Sequence, residues 1–202
     1  MTARIYSLFG HHHDTDPIGP DSAGPESAGG APLQPPIRHE GLARLLALWA
    51  EWAAQDILPR RARIQPEALR PWLGHLAIVE LTRLPFRARY RLVGTALNDL
   101  AGAELTGRYI DELYSKRIRR EVMKAYAEVV DSRAPHYRHM RFWLTRRTFG
   151  YHRLILPFTT DGSGVDICLL ALYPDRPDII KASDWQQDVD RAELARWFGR
   201  KP

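Results

Sequence analysis

The first strong pattern along the chain is helical. Leu42, Leu45, Leu46, Trp49, Trp52 and Ala53 recur at three- and four-residue spacings, which places them on one face of a helix. The pattern predicts a helix from about His39 to Gln55, stopped by Pro59, because the residue before a proline is pushed out of the α region. The connector "LPRRARIQPEALRPWLG" follows, with one short helical turn at Pro66–Leu69, where proline suits the first turn. The period then changes to two. In "FRARYRLVG" (Phe86–Gly94), Ala88, Tyr90 and Leu92 alternate with Arg87, Arg89 and Arg91, as in a strand with one apolar and one basic face. "HLAIVEL" (His75–Leu81) is a second strand, joined to the first by a hairpin-like "TRLPF".

Beyond Gly94 the segments "TALNDLA" and "RYIDELY" read as short helical turns separated by Gly102 and Gly107. "SKRIRREVMKAYAEVVDS" predicts a longer helix. Ser115 is its candidate N-cap, Ile118, Val122, Tyr126 and Val129 form its apolar stripe, and Lys116, Arg117, Arg119, Arg120 and Lys124 lie on its polar side. Three more strands are expected at Pro135–Leu144, Phe149–Phe158 and Val165–Pro174, the last two joined by a turn containing Asp161-Gly162. Near the C-terminus, Leu194, Trp197 and Phe198 at i, i+3, i+4 predict a short helix, with capping signatures at Ser183/Gln186 and Asp190/Glu193. Strands in two runs with helices between them imply an α+β domain. The expected fold is a five-stranded antiparallel sheet with short helices and one longer helix on one face, plus N-terminal and C-terminal helices.

Composition divides the chain further. Half of the residues from Pro17 to Pro36 are Pro or Gly, too little apolar surface to offset chain entropy. The expected organisation is a disordered tail over 1–37, an N-terminal helix and connector over 38–74, the sheet domain over 75–174, and a C-terminal tail with its short helix over 175–202. His11, His12 and His13 in the first segment read as an adventitious metal binder, so no committed metal site is expected. Cys168 is the only cysteine, which excludes an intramolecular disulfide and argues for a reducing, cytoplasmic location. No apolar run approaches the roughly 20 residues of a membrane-spanning helix, and no secretory signal is read at the N-terminus. The net charge of +5 is uneven: residues 86–153 hold 15 basic against 7 acidic residues, a local +8. Such a block can attract nucleic acid, anionic lipid or an acidic protein.

The glycine-rich stretch "GTALNDLAGAELTG" lacks both G-x-G-x-x-G and G-x-x-x-x-G-K-[ST], which argues against a phosphate-binding loop. Taken together, "LPRRARIQPEALRPWLGHLAIVEL", "RYRLVGTALNDLAGAELTGRYIDEL" and "YHRLILPFTTDGSGVDICLLALY" resemble short bacterial proteins with a single stand-alone PAS domain. The resemblance covers about Leu45 to Tyr173, and "YRLVGT" and "LTGR" are its most specific parts. It implies that Gly94-Thr95 marks the exit from the second strand into a helical cluster, with Thr95 or Asn98 as a cap, and that the glycines are architectural.

No catalytic constellation emerges. There is no G-x-S-x-G elbow, and Asp111-Glu112 reads as a solvated pair. Cys168 sits in a predicted central strand, away from where the flavin-linking cysteine of light-sensing PAS relatives lies. The long helix has no histidine and so does not resemble haem-binding relatives. His136, His139 and His152 read as satisfied or exposed strand residues. No cofactor and no enzyme activity are expected. What remains is binding: Tyr90, Tyr109, Tyr126, Trp143 and Tyr151 are candidate lining for a small-ligand space between sheet and helices. Leu42, Leu45, Leu46, Trp49 and Trp52 form a candidate interaction face that either pairs two copies or caps the chain's own sheet. The expected function is a sensory or regulatory module acting by contact with a signalling protein partner and as a homodimer, with a small-molecule ligand as modulator and no membrane contact. Two alternatives stand beside it. One is a nucleic-acid-associated protein using Arg87, Arg89, Arg91 and Arg141; the other is a small α+β pocket enzyme, for which no polar dyad can be assembled.

Overall fold

The computed structural model describes residues 36–56, 58–113, 116–144 and 147–175, with backbone only at 116–118, 142–144 and 147–149. The N-terminal tail up to residue 35, the Ser115 cap and the C-terminal helix lie outside the described residues. Helix α1 (Glu40–Ala53) begins at His39, whose Nδ1 accepts the Leu42 N–H at 3.3 Å, an N-cap role that the sequence pattern did not single out. It ends well before Pro59, because the chain must turn to bring Leu58 into the core and the Pro59 carbonyl to the Thr159 N–H, 3.0 Å away. The connector carries a 3-10 turn at Arg61–Arg63, a one-turn helix α2 (Pro66–Leu69) and a longer 3-10 stretch, Arg70–His75. Strands β1 (Leu76–Arg83) and β2 (Phe86–Val93) form a hairpin. Then come α3 (Thr95–Ala101), α4 (Ile110–Leu113), α5 (Lys116–Ser132), β3 (His136–Leu144), β4 (Arg147–Phe158) and β5 (Ile167–Pro174).

The five strands form one antiparallel sheet, as the sequence pattern implied, and their order in it is β2-β1-β5-β4-β3. The strand β4 starts at Arg147, two residues before the expected Phe149. The β3–β4 hairpin pairs Leu144 with Arg147, which leaves only residues 145–146 to connect them.

The helix cap anticipated at Thr95 or Asn98 is not what forms. Gly94 is the N-cap of α3, without a side-chain hydrogen bond. Thr95 is already helical, and the Asn98 Oδ1 instead accepts the Leu105 N–H at 3.1 Å, tying down the loop beyond the helix. Gly94 is required by close approach: a Cβ there would lie 2.3 Å from the Leu73 carbonyl oxygen and 2.5 Å from that of Gly74. Gly102 and Gly107 both have positive φ (62° and 82°), the conformation in which a Cβ is penalised.

The sheet has a core on each face. The inner core joins Val79, Ala88, Tyr90, Tyr151, Ile155, Cys168 and Leu170 to Leu97 of α3, Ile110 and Leu113 of α4, and Tyr126 and Val129 of α5. The outer core joins Leu154, Leu156, Phe158, Ile167 and Leu169 to Leu42, Leu45 and Trp49 of α1, with Leu69 and Trp72 from the connector. The stripe of α1 thus packs on the outer face of its own sheet. Leu42 and Leu45 are fully buried there, and Leu46 and Trp52 are partly buried against the same cluster. The Trp49 indole N–H donates to the Pro157 carbonyl at 2.9 Å. Pro157 lies past the last β3–β4 pair, His136 with Ile155, so its missing N–H breaks no ladder bond and its carbonyl is open to the indole. Among the described residues no helix is long and apolar enough to cross a membrane.

Candidate functional site

The inner face is where three of the expected lining tyrosines meet. Tyr90 of β2, Tyr126 of α5 and Tyr151 of β4 are all buried in one cluster. Burial holds the Tyr126 hydroxyl well above the usual phenol range, reinforced by Tyr90 and Cys168 and opposed by Arg153. Tyr151 is raised in the same way, again opposed by Arg153. The Cys168 thiol is pushed far up, first by burial and then by Asp166, which removes it as a nucleophile. Tyr109 is not in this cluster; it sits at the free edge of β2. The Trp143 side chain lies outside the described residues.

A residue that the pattern did not single out stands among these tyrosines. Alternation along β4 turns Arg153 to the same side as Tyr151 and Ile155. The residue is only 9% exposed, and its Nε has no hydrogen-bond partner among the described residues. Its neighbour His136 is half-enclosed, with Nε2 3.3 Å from Glu128 of α5 and Nδ1 without a partner among the described residues. Burial, then Arg153 and Arg138, lower His136 to about 4, against the pull of Glu128.

The basic strand β2 is largely neutralised within the chain. Arg87 is bound by Asp111 (2.9 Å) and Glu112 (2.6 Å) of α4, and its guanidinium lies 3.7 Å from the Tyr109 ring centroid. Arg89 donates from Nε to the Gly107 carbonyl at 3.1 Å, and Arg91 pairs with Glu80 on β1. The segment carrying these partners runs along the free edge of β2: Tyr90 N–H donates to the Arg108 carbonyl (2.9 Å), and Gly107 N–H to the Tyr90 carbonyl (2.6 Å). Arg141 is exposed on β3.

On the surface, a groove of about 650 Å³ runs between α1 and the connector. Ala47, Leu48, Ala68, Pro71 and Trp72 line it together with Arg44, Glu51, Glu67 and Arg70. The Trp72 indole crosses it to donate to the Gly41 carbonyl at 2.8 Å.

The outer face also gathers histidines. His139 of β3 and His152 of β4 are direct cross-strand partners, their rings stacked 4.0 Å apart. Asp175, just past β5, lies 2.9 Å from His139 Nε2 and 3.2 Å from His152 Nε2. Tyr173, opposite His152 in the next strand, stacks on His75 at 4.0 Å and meets the His39 ring at 4.2 Å. Burial is the leading cause that lowers His39, His75 and His152 below the ordinary imidazole value. The sequence reading named His139 and His152 but missed Asp175, His39 and His75. The signal that could have found the pair is the tight β3–β4 hairpin, whose two-residue connection sets 139 opposite 152.

Set beside known proteins, the family model described as PAS domain matches residues 37–172. The chain belongs to the PAS domain family. Members of this family are sensory and signalling modules. No curated protein matches the sequence. Among solved structures, this PAS domain is similar to that of BvgS from Bordetella pertussis, at 16% identity over 64% of this chain and 96% of that one, with a TM-score of 0.41. It is also similar to the PAS domain of the histidine kinase ThkA, at 17% identity over 48% of this chain and 97% of that one (TM-score 0.34). A third likeness is to a light-oxygen-voltage domain studied with a flavin analogue, at 12% identity over 62% of this chain and 93% of that one (TM-score 0.38).

Proposed function

We propose that this chain is a cytoplasmic sensory or regulatory module that works by protein–protein contact, both with a second copy of itself and with a signalling partner, and that a small ligand modulates it. The observation that carries the reading is the groove beside α1. The helix spends its apolar stripe on its own sheet, so a partner is left its flank, where Leu48 and Ala47 face Ala68, Pro71 and Trp72 between charged rims. An apolar floor with a charged border suits a protein surface. The basic strand favours this reading over nucleic acid, because Arg87 and Arg91 already hold carboxylates of the same chain, and phosphate contacts would have to displace them. The ligand class that the inner face suits is a small anion, since Arg153 brings a buried, unpartnered donor among tyrosines.

Light scattering on the wild type and on Leu48→Asp tests the contact. The expected result is a dimer that becomes a folded monomer in the variant. A wild type that is monomeric throughout would remove the self-pairing, and an unchanged dimer in the variant would move the contact away from the groove. Native mass spectrometry of the purified protein reads ligand and assembly together; an inner-face anion predicts a bound mass that disappears in Arg153→Met.

A further inference from the structure

We infer that His139, His152 and Asp175 form a binding site for a single first-row divalent cation of the zinc type, on the sheet face opposite the tyrosine cluster. The three donor atoms converge without help from a ligand: all lie within 4.8 Å of one another. Zinc holds imidazole nitrogen and carboxylate oxygen at about 2.0–2.2 Å, so donors at tetrahedral angles sit roughly 3.3–3.6 Å apart. The Asp175 Oδ1 is 2.9 Å from His139 Nε2 and 3.2 Å from His152 Nε2. Both carboxylate–imidazole spacings thus fall a few tenths of an ångström short of those around a bound ion, while the two imidazole nitrogens, within 4.8 Å of each other, would turn toward it from their stacked arrangement.

The backbone builds the site from three strands. Cross-strand register puts the two imidazoles side by side. Asp175 is held past the end of β5 by its own N–H, which donates to the Gly150 carbonyl at 2.9 Å. Gly150 is what lets the carboxylate arrive: a Cβ there would meet Asp175 Oδ2 at 2.2 Å. A side chain at 150 would force that carboxylate to shift.

The surroundings are those of a metal ligand set. A ligating imidazole needs its second nitrogen held by a hydrogen bond, and His152 Nδ1 is 2.8 Å from the Tyr137 hydroxyl. Tyr137 is itself buried, and its oxygen accepts the Arg38 N–H at 3.4 Å. Without an ion, His152 donates from Nε2 to Asp175 and accepts from Tyr137. With one, the Nε2 lone pair is the ligand and Nδ1–H donates to the Tyr137 oxygen, so the same neutral ring serves both states. Two imidazoles and one carboxylate favour zinc, cobalt, nickel or copper over the oxygen-seeking calcium and magnesium. Three protein ligands leave a fourth position for water or an incoming group.

The test uses the full-length chain carrying H11A, H12A and H13A, so that the histidine triplet of the tail cannot supply ligands. Zn²⁺ is titrated in competition with a chromogenic chelator, and Co²⁺ is followed by its visible absorption. The expected result is one equivalent per chain, affinity at least tenfold weaker in His139→Ala and in Asp175→Asn, and no change in His136→Ala. Tyr137→Phe should weaken binding by about tenfold, the low end for a group that holds a ligand in place. Zn²⁺ should raise the melting temperature of the parent and leave that of Asp175→Asn unmoved; Asp175→Asn keeps a hydrogen-bonding group and so serves if His139→Ala does not fold. Absence of stoichiometric binding in the tail-substituted parent, or equal affinity in the parent and Asp175→Asn, overturns the inference.

Discussion

The two faces of the sheet are built from the same strands but closed differently. The inner face is covered by α3, α4 and α5, which are inserted between β2 and β3 and therefore lie close in sequence to what they cover. The outer face is covered by α1, which meets β4 more than 100 residues further along the chain, as in the Trp49–Pro157 bond with its separation of 108. The inner face buries tyrosines, a thiol and one arginine. The outer face buries tryptophan and leucine at one end and collects histidines at the other. Local closure makes the inner face a self-sufficient core. Closure from a distance makes the outer face depend on a few anchoring side chains.

Breaking an anchor should give the largest effect. Trp49→Ala removes a nearly buried indole and its hydrogen bond to Pro157, and should cost about 3–5 kcal/mol of unfolding free energy, the range for truncating a large aromatic in a core. Urea unfolding measures it; a loss under about 1 kcal/mol would mean that α1 is not what closes the outer face. Next is the seam where the outer connector touches the inner helices. Gly94→Ala drives a methyl group into the carbonyls of Leu73 and Gly74 and should cost about 1–3 kcal/mol, as overpacking does. Thermal melting that matches wild type would show that the connector can yield.

The inner face should respond in the opposite direction. Arg153→Met replaces an unpartnered buried donor with an apolar chain, and should raise stability by about 1 kcal/mol, the low end of the penalty for an unsatisfied group. A variant clearly less stable than wild type would mean that the guanidinium is holding the face together. The smallest expected effect is one of pH. His136 is held down to about 4 in the folded chain against an ordinary 6.5, so the unfolded chain takes up the proton first. Its contribution is complete above pH 6.5 and falls away as pH drops toward 4. His152, His39 and His75 complicate a bare profile, so the measurement is the difference between wild type and His136→Gln melting temperatures over this range. That difference should shrink as pH falls, and a constant offset would argue against a buried neutral imidazole at 136.

Much of this architecture could be read along the chain. The alternation in β2, the stripe of α1 and the stripe of α5 are statements about which side of an element is apolar, and burial rewards that property directly. What α1 would face was not decided by its stripe: a sheet of its own and a second copy are equally apolar targets. The charge of the middle segment is a related case. Arg87, Arg89 and Arg91 alternate as an exposed basic face would, yet Arg87 and Arg89 reach around the edge of β2 to Asp111, Glu112, Gly107 and Tyr109, and Arg91 pairs with Glu80 on β1; charge counted along one strand cannot see partners on other elements.

By itself, then, the sequence determined the order of elements and their apolar sides, because these follow from local periodicity and turn chemistry, and its motifs carried the resemblance to the PAS family that the match over residues 37–172 shows. Only the tertiary structure decided that α1 closes its own sheet, that Arg153 is buried among tyrosines, and that His139, His152 and Asp175 meet over Gly150. The first depends on which of two apolar surfaces lies nearer. The second depends on which side of β4 faces α5. The third depends on the register of three strands at once, where a slip of one residue in any of them would turn its side chain to the other face.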